Sequence, residues 1–266
     1  PANSDGISGH ARPEATLCDG VPIRRSFNLG TMSEVTVVKA EAVVPICDDI
    51  PFDIAAIMGC GVMTGFGSVA NVAKVPRGAS VAVLGCGGIG LNVIQGARIA
   101  GARQIIAIDI AEDRLDRAAR FGATDRILSE RASLDLKPVI EQVRRLTVRG
   151  ADFAFECTAV PELAAAPLAL VRHGGTAIQV SGVEQTIEFD CRLFEWDKTY
   201  LNPLYGRCDP SRDFDVLQEH YRSGALELDA LISHRYELGD IEQAFKDLLA
   251  GKLAKAVLLN RAGSAL

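Results

Sequence analysis

Three glycines, at positions 85, 87 and 90, stand in the run Val81-Ala82-Val83-Leu84-Gly85-Cys86-Gly87-Gly88-Ile89-Gly90. A continuous apolar run precedes them, and apolar residues at helical spacing follow from Gly88 to Ala100. Strand, glycine turn and helix in that order make Gly-x-Gly-x-x-Gly a cradle for a pyrophosphate. Gly85 allows the tight turn out of the strand, Gly87 lets backbone approach the phosphates, and Gly90 lets the helix pack closely on the sheet. Gly88 and Ile89 lie at a helix N-terminus, which offers phosphates unpaired N–H groups and a partial positive charge. Asp109 closes the next apolar run, 19 residues after Gly90. Its carboxylate is suited to accept hydrogen bonds from the ribose of a dinucleotide. A 2′-phosphate there would meet like charge, so the pattern predicts NAD in preference to NADP. Arg114, one helical turn on, is within reach of the same ribose edge.

Cys60, between Gly59 and Gly61, is the other residue with chemistry to offer. A thiolate near a helix start is favoured by the helix dipole. A lone cysteine in an apolar stretch is more often an inert packing residue. Thr64 follows on the next predicted helix, and the residues alone give it no more than the role of a helix-terminal hydroxyl. Of the four histidines, His173 and His220 fall on a helix end and a surface helix, His234 near a strand start, and His10 in the polar N-terminal stretch. None has ligand spacing to Cys60 or to another histidine.

The elements that must position these residues follow from the apolar pattern. Val81–Leu84, Gln104–Ile108, Thr124–Leu128, Ala151–Glu156, Thr176–Val180 and Thr199–Leu204 read as strands, several buried on both faces. Gly88–Ala100, Glu112–Phe121, Leu136–Leu146 and Pro161–Leu170 read as the helices between them. This alternation predicts an α/β fold with a doubly wound parallel sheet. Before it come short strands at Val35–Lys39 and Glu41–Val44, a helical turn or two at Pro51–Met58, a break at Gly59-Cys60-Gly61, and a helix from Thr64 to Lys74. After it come helices at Arg212–Ser223 and Leu238–Ala250 and a strand at Ala254–Leu259. This tail is expected to return to the first 60 or so residues, giving a discontinuous domain of 1–62 with 205–266 around a dinucleotide domain of 63–204.

The formal net charge of −6 and the lack of a basic stripe argue against a nucleic-acid partner. The pairs Arg24-Arg25 and Arg144-Arg145 read as solvated faces. No apolar run is seen to reach the roughly 18–20 residues of a membrane span, and the first 20 residues lack a secretory signal's apolar core. The seven cysteines stand singly, with no disulfide framework, so a reducing cytoplasm is the expected home.

Gly59-Cys60-Gly61-Val62-Met63-Thr64-Gly65, the loop Gly85–Gly90 and Asp109 together resemble the zinc-containing, medium-chain alcohol dehydrogenases, especially the branch with glutathione-dependent formaldehyde dehydrogenase. Cys18–Ile23, Gly30–Val38 and Ser223–Ile232 fit the same family, so the likeness covers nearly the whole chain. It implies a Rossmann domain beside part of a GroES-like catalytic domain. It also implies a hydride transfer between a small-molecule alcohol or aldehyde and NAD. By resemblance, Cys60 is one of three ligands of a catalytic zinc that activates the alcohol, and Thr64 lies near the nicotinamide. Thr158 would touch the adenine end, and the turn containing Ser181 and Val183 would meet the carboxamide. Lys255 stands where relatives carry an arginine that meets the pyrophosphate. Two copies would pair through a strand near Thr199–Leu204 as a homodimer.

The family's other two zinc ligands would lie upstream of Pro1, with most of the pocket wall, of which Ser26-Phe27 are a fragment. The chain therefore reads as the C-terminal two-thirds of a longer enzyme. Two competing readings are a non-catalytic dinucleotide-binding subunit and a zinc-independent quinone-type reductase. Asp109 and Cys60 count against the reductase.

Overall fold

A computed structural model describes residues 16–23, 29–130 and 136–260 of the 266. His10, Arg24-Arg25 and Ser26-Phe27 lie outside the described residues. The chain forms two compact units, Pro1–Cys47 with Ile232–Leu266, and Asp48–Leu231.

The smaller unit begins with an antiparallel hairpin, β1 (Thr16–Cys18) and β2 (Val21–Ile23). The strands expected at Val35–Lys39 and Glu41–Val44 do not form. Val35 and Val37 are exposed, and Ala40–Ala42 is a 3-10 turn. A half-buried strand needs one enclosed face, and the exposed Val35, Val37 and Val43 give these segments none.

The larger unit opens with α1 (Phe52–Ala73), a single 22-residue helix. The expected break at Gly59-Cys60-Gly61 is instead a π-helical stretch, Met58–Val62, and a second one, Ser68–Ala73, ends the helix. Glycine weakens a helix by about 1 kcal/mol per residue relative to alanine. Burial outweighs that cost here, because Ile54, Met58, Val62, Met63 and Val69 are fully enclosed. With no break, α1 is long and apolar enough to cross a membrane by length and composition, contrary to the sequence reading. Its most apolar window is nevertheless 61% buried within the fold, as in a core helix.

The sheet follows as β3 (Ser80–Leu84), α2 (Gly90–Ile99), β4 (Gln104–Asp109), α3 (Glu112–Arg120), β5 (Asp125–Leu128), α4 (Lys137–Thr147), β6 (Ala151–Glu156), α5 (Ala166–Leu170), β7 (Val171–Gln179) and β8 (Thr199–Leu201). The strands lie in the order β5-β4-β3-β6-β7-β8, with every neighbouring pair parallel. This is the doubly wound arrangement. The chain reverses its direction of travel between β3 and β6, which opens a crevice at their C-terminal ends. All five residues of β3 are buried, as its unbroken apolar run requires.

Three expected elements differ. Pro161–Leu170 splits into a 3-10 turn, Pro161–Leu163, and the short α5, because Pro167 lacks an N–H and starts a new helix. His173 falls in β7, which begins directly after α5. β8 stops at Leu201, ahead of Pro203, which cannot donate to a ladder.

Beyond β8, α6 (Pro210–Arg222) is capped by the Asp209 side chain, which accepts from the Ser211 N–H at 3.0 Å. The smaller unit then resumes with β9 (Ile232–Glu237), α7 (Ile241–Leu249) and β10 (Lys255–Leu259), in which β9 and β10 pair in parallel.

Candidate functional site

The glycine loop leaves the C-terminal end of β3 and enters α2 within five residues, Gly85–Ile89. Gly85 has φ +92°, and a Cβ there would stand 2.8 Å from Thr158 Cγ2, across the crevice. A Cβ on Gly90 would stand 1.9 Å from the Gly85 carbonyl oxygen, so only glycine lets α2 start this close to the strand end. At Gly87 a Cβ would meet nothing within 4 Å, and open space lies over the middle of the loop. The N–H groups of Gly87, Gly88 and Ile89 have no acceptor among the described residues. Three unpaired donors ahead of a ten-residue helix are the arrangement that binds phosphate oxygens.

Two buried acids hold the loop in place. Asp109, at the end of β4, is 5% exposed. Its Oδ2 accepts from the Cys86 N–H at 2.7 Å, and its Oδ1 accepts from the N–H groups of Ile110 and Ala111 at 2.8 and 3.1 Å. Arg114 Nη1 lies 3.7 Å from Oδ1. Oδ2 takes a single bond and keeps a lone pair for a further donor. Burial pushes the Cys86 thiol up, and the Asp109 charge adds to this, so Cys86 is a packing residue.

Glu156 is the counterpart at the end of β6, fully buried, and the sequence marks it only as the end of a strand. Its carboxylate accepts from the Thr158 N–H, the Thr158 hydroxyl and the Ser181 hydroxyl. Its backbone carbonyl accepts from the Val180 N–H at 2.9 Å. One side chain thus ties the turn after β6 to the turn after β7, and brings Thr158 and Ser181 to the mouth beside Gly85. Val183 follows, half-buried, on the same turn. Glu156 had a legible signal. Like Asp109, it is an acid ending an apolar strand run, Phe153-Ala154-Phe155-Glu156. Asn92 was also missed. It is buried in the first turn of α2 and donates to the Gly88 carbonyl at 2.7 Å.

Cys60 is exposed in the first π-helical stretch of α1. It stands mid-helix, eight residues after Phe52, so the expected help from a helix start does not apply. Thr64 is buried, and its carbonyl accepts from the Ser68 hydroxyl at 2.7 Å. The adjacent Gly65 packs on the glycine loop, where a Cβ would lie 2.7 Å from the Ile89 carbonyl oxygen. Cys60 and Thr64 therefore share a helix that abuts the loop. Tyr205, also missed, donates its hydroxyl to the Gly59 carbonyl beside Cys60. No three His, Cys, Asp or Glu side chains gather as a metal site among the described residues. His220 packs on Phe66 and His234 on Tyr236. Lys255 begins β10, in the smaller unit.

Residues 88–207 match the family model described as zinc-binding dehydrogenase. The chain is 35% identical to S-(hydroxymethyl)glutathione dehydrogenase of Saccharomyces cerevisiae, over 90% of this chain and 63% of that protein. It is 34% identical to the Paracoccus denitrificans protein of the same name, over 96% of this chain and 69% of that one. Among solved structures it is similar to benzyl alcohol dehydrogenase from Acinetobacter calcoaceticus, with a TM-score of 0.74 and 29% identity, covering 81% of this chain and 59% of that one. The chain thus spans about two-thirds or less of the relatives it matches.

Proposed function

We propose a function from the premise that this chain belongs to the zinc-containing, medium-chain alcohol dehydrogenase family. In our reading it binds NAD in preference to NADP and serves hydride transfer between that cofactor and an alcohol or hydroxymethyl thiol adduct. The observation that carries the reading is the row of unpaired N–H groups at Gly87, Gly88 and Ile89, set under open space at the sheet's reversal point. These groups would hold the pyrophosphate. The open lone pair on Asp109 Oδ2 would take a ribose hydroxyl, with Arg114 at the rim. Its negative charge would repel a 2′-phosphate. By family likeness Thr158 serves the adenine end, Ser181 and Val183 the carboxamide, and Lys255 a phosphate, though without the bidentate fork of an arginine. When bound, the dinucleotide supplies the hydride acceptor. The protein's part is to hold and orient it, with Glu156 keeping the two contacting turns in register.

The family's metal is a different matter. A catalytic zinc takes three protein ligands. Cys60 offers one sulfur, and the described residues complete no set of three. These residues alone do not fit the ion. That observation favours a second reading, in which the chain binds dinucleotide without catalysing. The two readings separate on one sample. The intact chain is supplied with NAD and S-(hydroxymethyl)glutathione or a primary alcohol, while NADH absorbance and zinc content are followed. NADH formation with bound zinc supports the dehydrogenase. Tight NAD binding with neither supports the non-catalytic protein. Pairing of two copies is proposed through β8, the sheet's outer strand. A monomer by light scattering would contradict it.

A further inference from the structure

Asn92 is fully buried in the first turn of α2. Its Nδ2 donates to the Gly88 carbonyl at 2.7 Å, while its Oδ1 meets no donor among the described residues. A buried acceptor without a donor costs stability, so packing alone would favour an apolar side chain here. The use of the asparagine must therefore lie with its donor.

The backbone explains why a donor is needed. In a regular helix the Asn92 N–H would bond to the Gly88 carbonyl, four residues back. It bonds instead to the Ile89 carbonyl at 2.9 Å, and the Leu91 N–H bonds to the Gly87 carbonyl at 2.9 Å. No backbone N–H among the described residues reaches the Gly88 carbonyl. The Asn92 side chain takes the place of its own backbone donor.

The consequence falls on the other edge of the same peptide. A trans peptide is planar, and its C=O and N–H point in opposite directions. Leu91 holds the Gly87 carbonyl toward the helix, which turns the Gly88 N–H to the space ahead of it. Asn92 holds the Gly88 carbonyl toward the helix, which turns the Ile89 N–H the same way. Neither N–H has an acceptor among the described residues. The first is aimed by helix backbone, which almost any residue supplies. The second is aimed by a side chain, which the sequence must specify. That side chain has little room to move. Gly65 of α1 lies over it, and a Cβ on Gly65 would stand 2.7 Å from Asn92 Cβ.

We propose that Asn92 is a positioning residue for the dinucleotide's pyrophosphate. Fully enclosed, it acts through the Gly88–Ile89 peptide, aiming the Ile89 N–H at a phosphate oxygen. The role rests on the reading of the glycine loop as the NAD site.

The intact, isotope-labelled chain is titrated with NAD, and the dissociation constant and the Ile89 amide resonance are followed together. In the native chain the Ile89 amide proton should move downfield as a phosphate accepts from it. Asn92→Ala removes the donor. NAD should then bind about tenfold more weakly, roughly the loss of one well-aimed hydrogen bond, with a smaller shift at Ile89. Asn92→Ser supplies the rescue. A helical serine hydroxyl reaches the carbonyl four residues back, so affinity and the Ile89 shift should return close to their native values. Urea unfolding shows whether each variant is folded, and the native shift and the serine variant decide the matter even where the alanine variant is not. Three results would overturn the role of Asn92: NAD binding to the native chain without a shift at Ile89, a folded Asn92→Ala that binds NAD as the native chain does, or an Asn92→Ser that binds as weakly as Asn92→Ala. A folded native chain that binds no NAD would overturn the reading of the loop itself, and the role of Asn92 with it.

Discussion

The two ends of the parallel sheet use their acids in different ways. At the C-terminal end the ionisable groups are acids, Asp109 and Glu156, buried and engaged by backbone N–H and hydroxyl donors. They fix the loops so that the N–H groups of Gly87, Gly88 and Ile89 face outward, unpaired. At the N-terminal end Asp152, part exposed, pairs with Arg172 and accepts from the Ser80 N–H and hydroxyl. A carboxylate can thus set backbone dipoles in place for an anion, or tie neighbouring strands to one another. The first arrangement tolerates little change, because each acid supports several bonds at once. The second should cost stability alone, in a small step.

Substitutions can break that contrast in order of size. Gly90→Ala puts a Cβ 1.9 Å from the Gly85 oxygen, and such overpacking costs about 1–3 kcal/mol or more. NAD binding should fall roughly 100-fold in calorimetry, an amount equal to about 2.7 kcal/mol. Near-normal binding would show that the loop is not rigid. Glu156→Gln turns an amide N–H toward donors that need an acceptor, at about 1–3 kcal/mol for each one left unsatisfied. The urea midpoint should drop and NAD should bind about tenfold more weakly. Asp109→Asn removes the charge that opposes a 2′-phosphate. The preference for NAD over NADP should shrink by about tenfold, read as the ratio of the two dissociation constants.

The smallest effect lies at the N-terminal end. Burial raises the Asp152 pKa, but the Ser80 backbone bond, Arg172 and the Ser80 hydroxyl together lower it below 3.8. A depressed folded-state pKa contributes stability above the unfolded value and loses it as pH falls through the folded one. Arg172 and Asp152 are 38% and 29% exposed, so screening holds the contribution to about 1 kcal/mol or less. The stability gap between the native chain and Asp152→Asn should therefore be present at neutral pH and close below about pH 4. A gap that stays constant into acid would place the effect elsewhere.

The conformation of the glycine loop was largely legible in the sequence because backbone geometry there demands particular residues. Gly85 needs positive φ, Gly90 needs the absence of a Cβ, and a buried strand needs the apolar run that precedes them. The same rules misread α1. Glycine punctuates a chain only where tertiary burial does not outweigh its cost, and Met58, Val62 and Met63 outweigh it there. Glu156 was overlooked because its partners, Thr158 and Ser181, come from two separate turns that only the sheet brings together. The separate settings of Arg144 and Arg145 were illegible for the same reason. Arg144-Arg145 looks like one solvated pair, yet one arginine faces Lys198 and the other faces Glu141.

The central claim, that the open N–H groups of the glycine loop bind NAD, is tested most directly by calorimetric titration of the intact chain with NAD and NADP. We predict saturable binding of one NAD per chain and NADP weaker by about tenfold or more, the repulsion expected at Asp109. A folded chain that takes up neither dinucleotide at millimolar concentration would contradict the account.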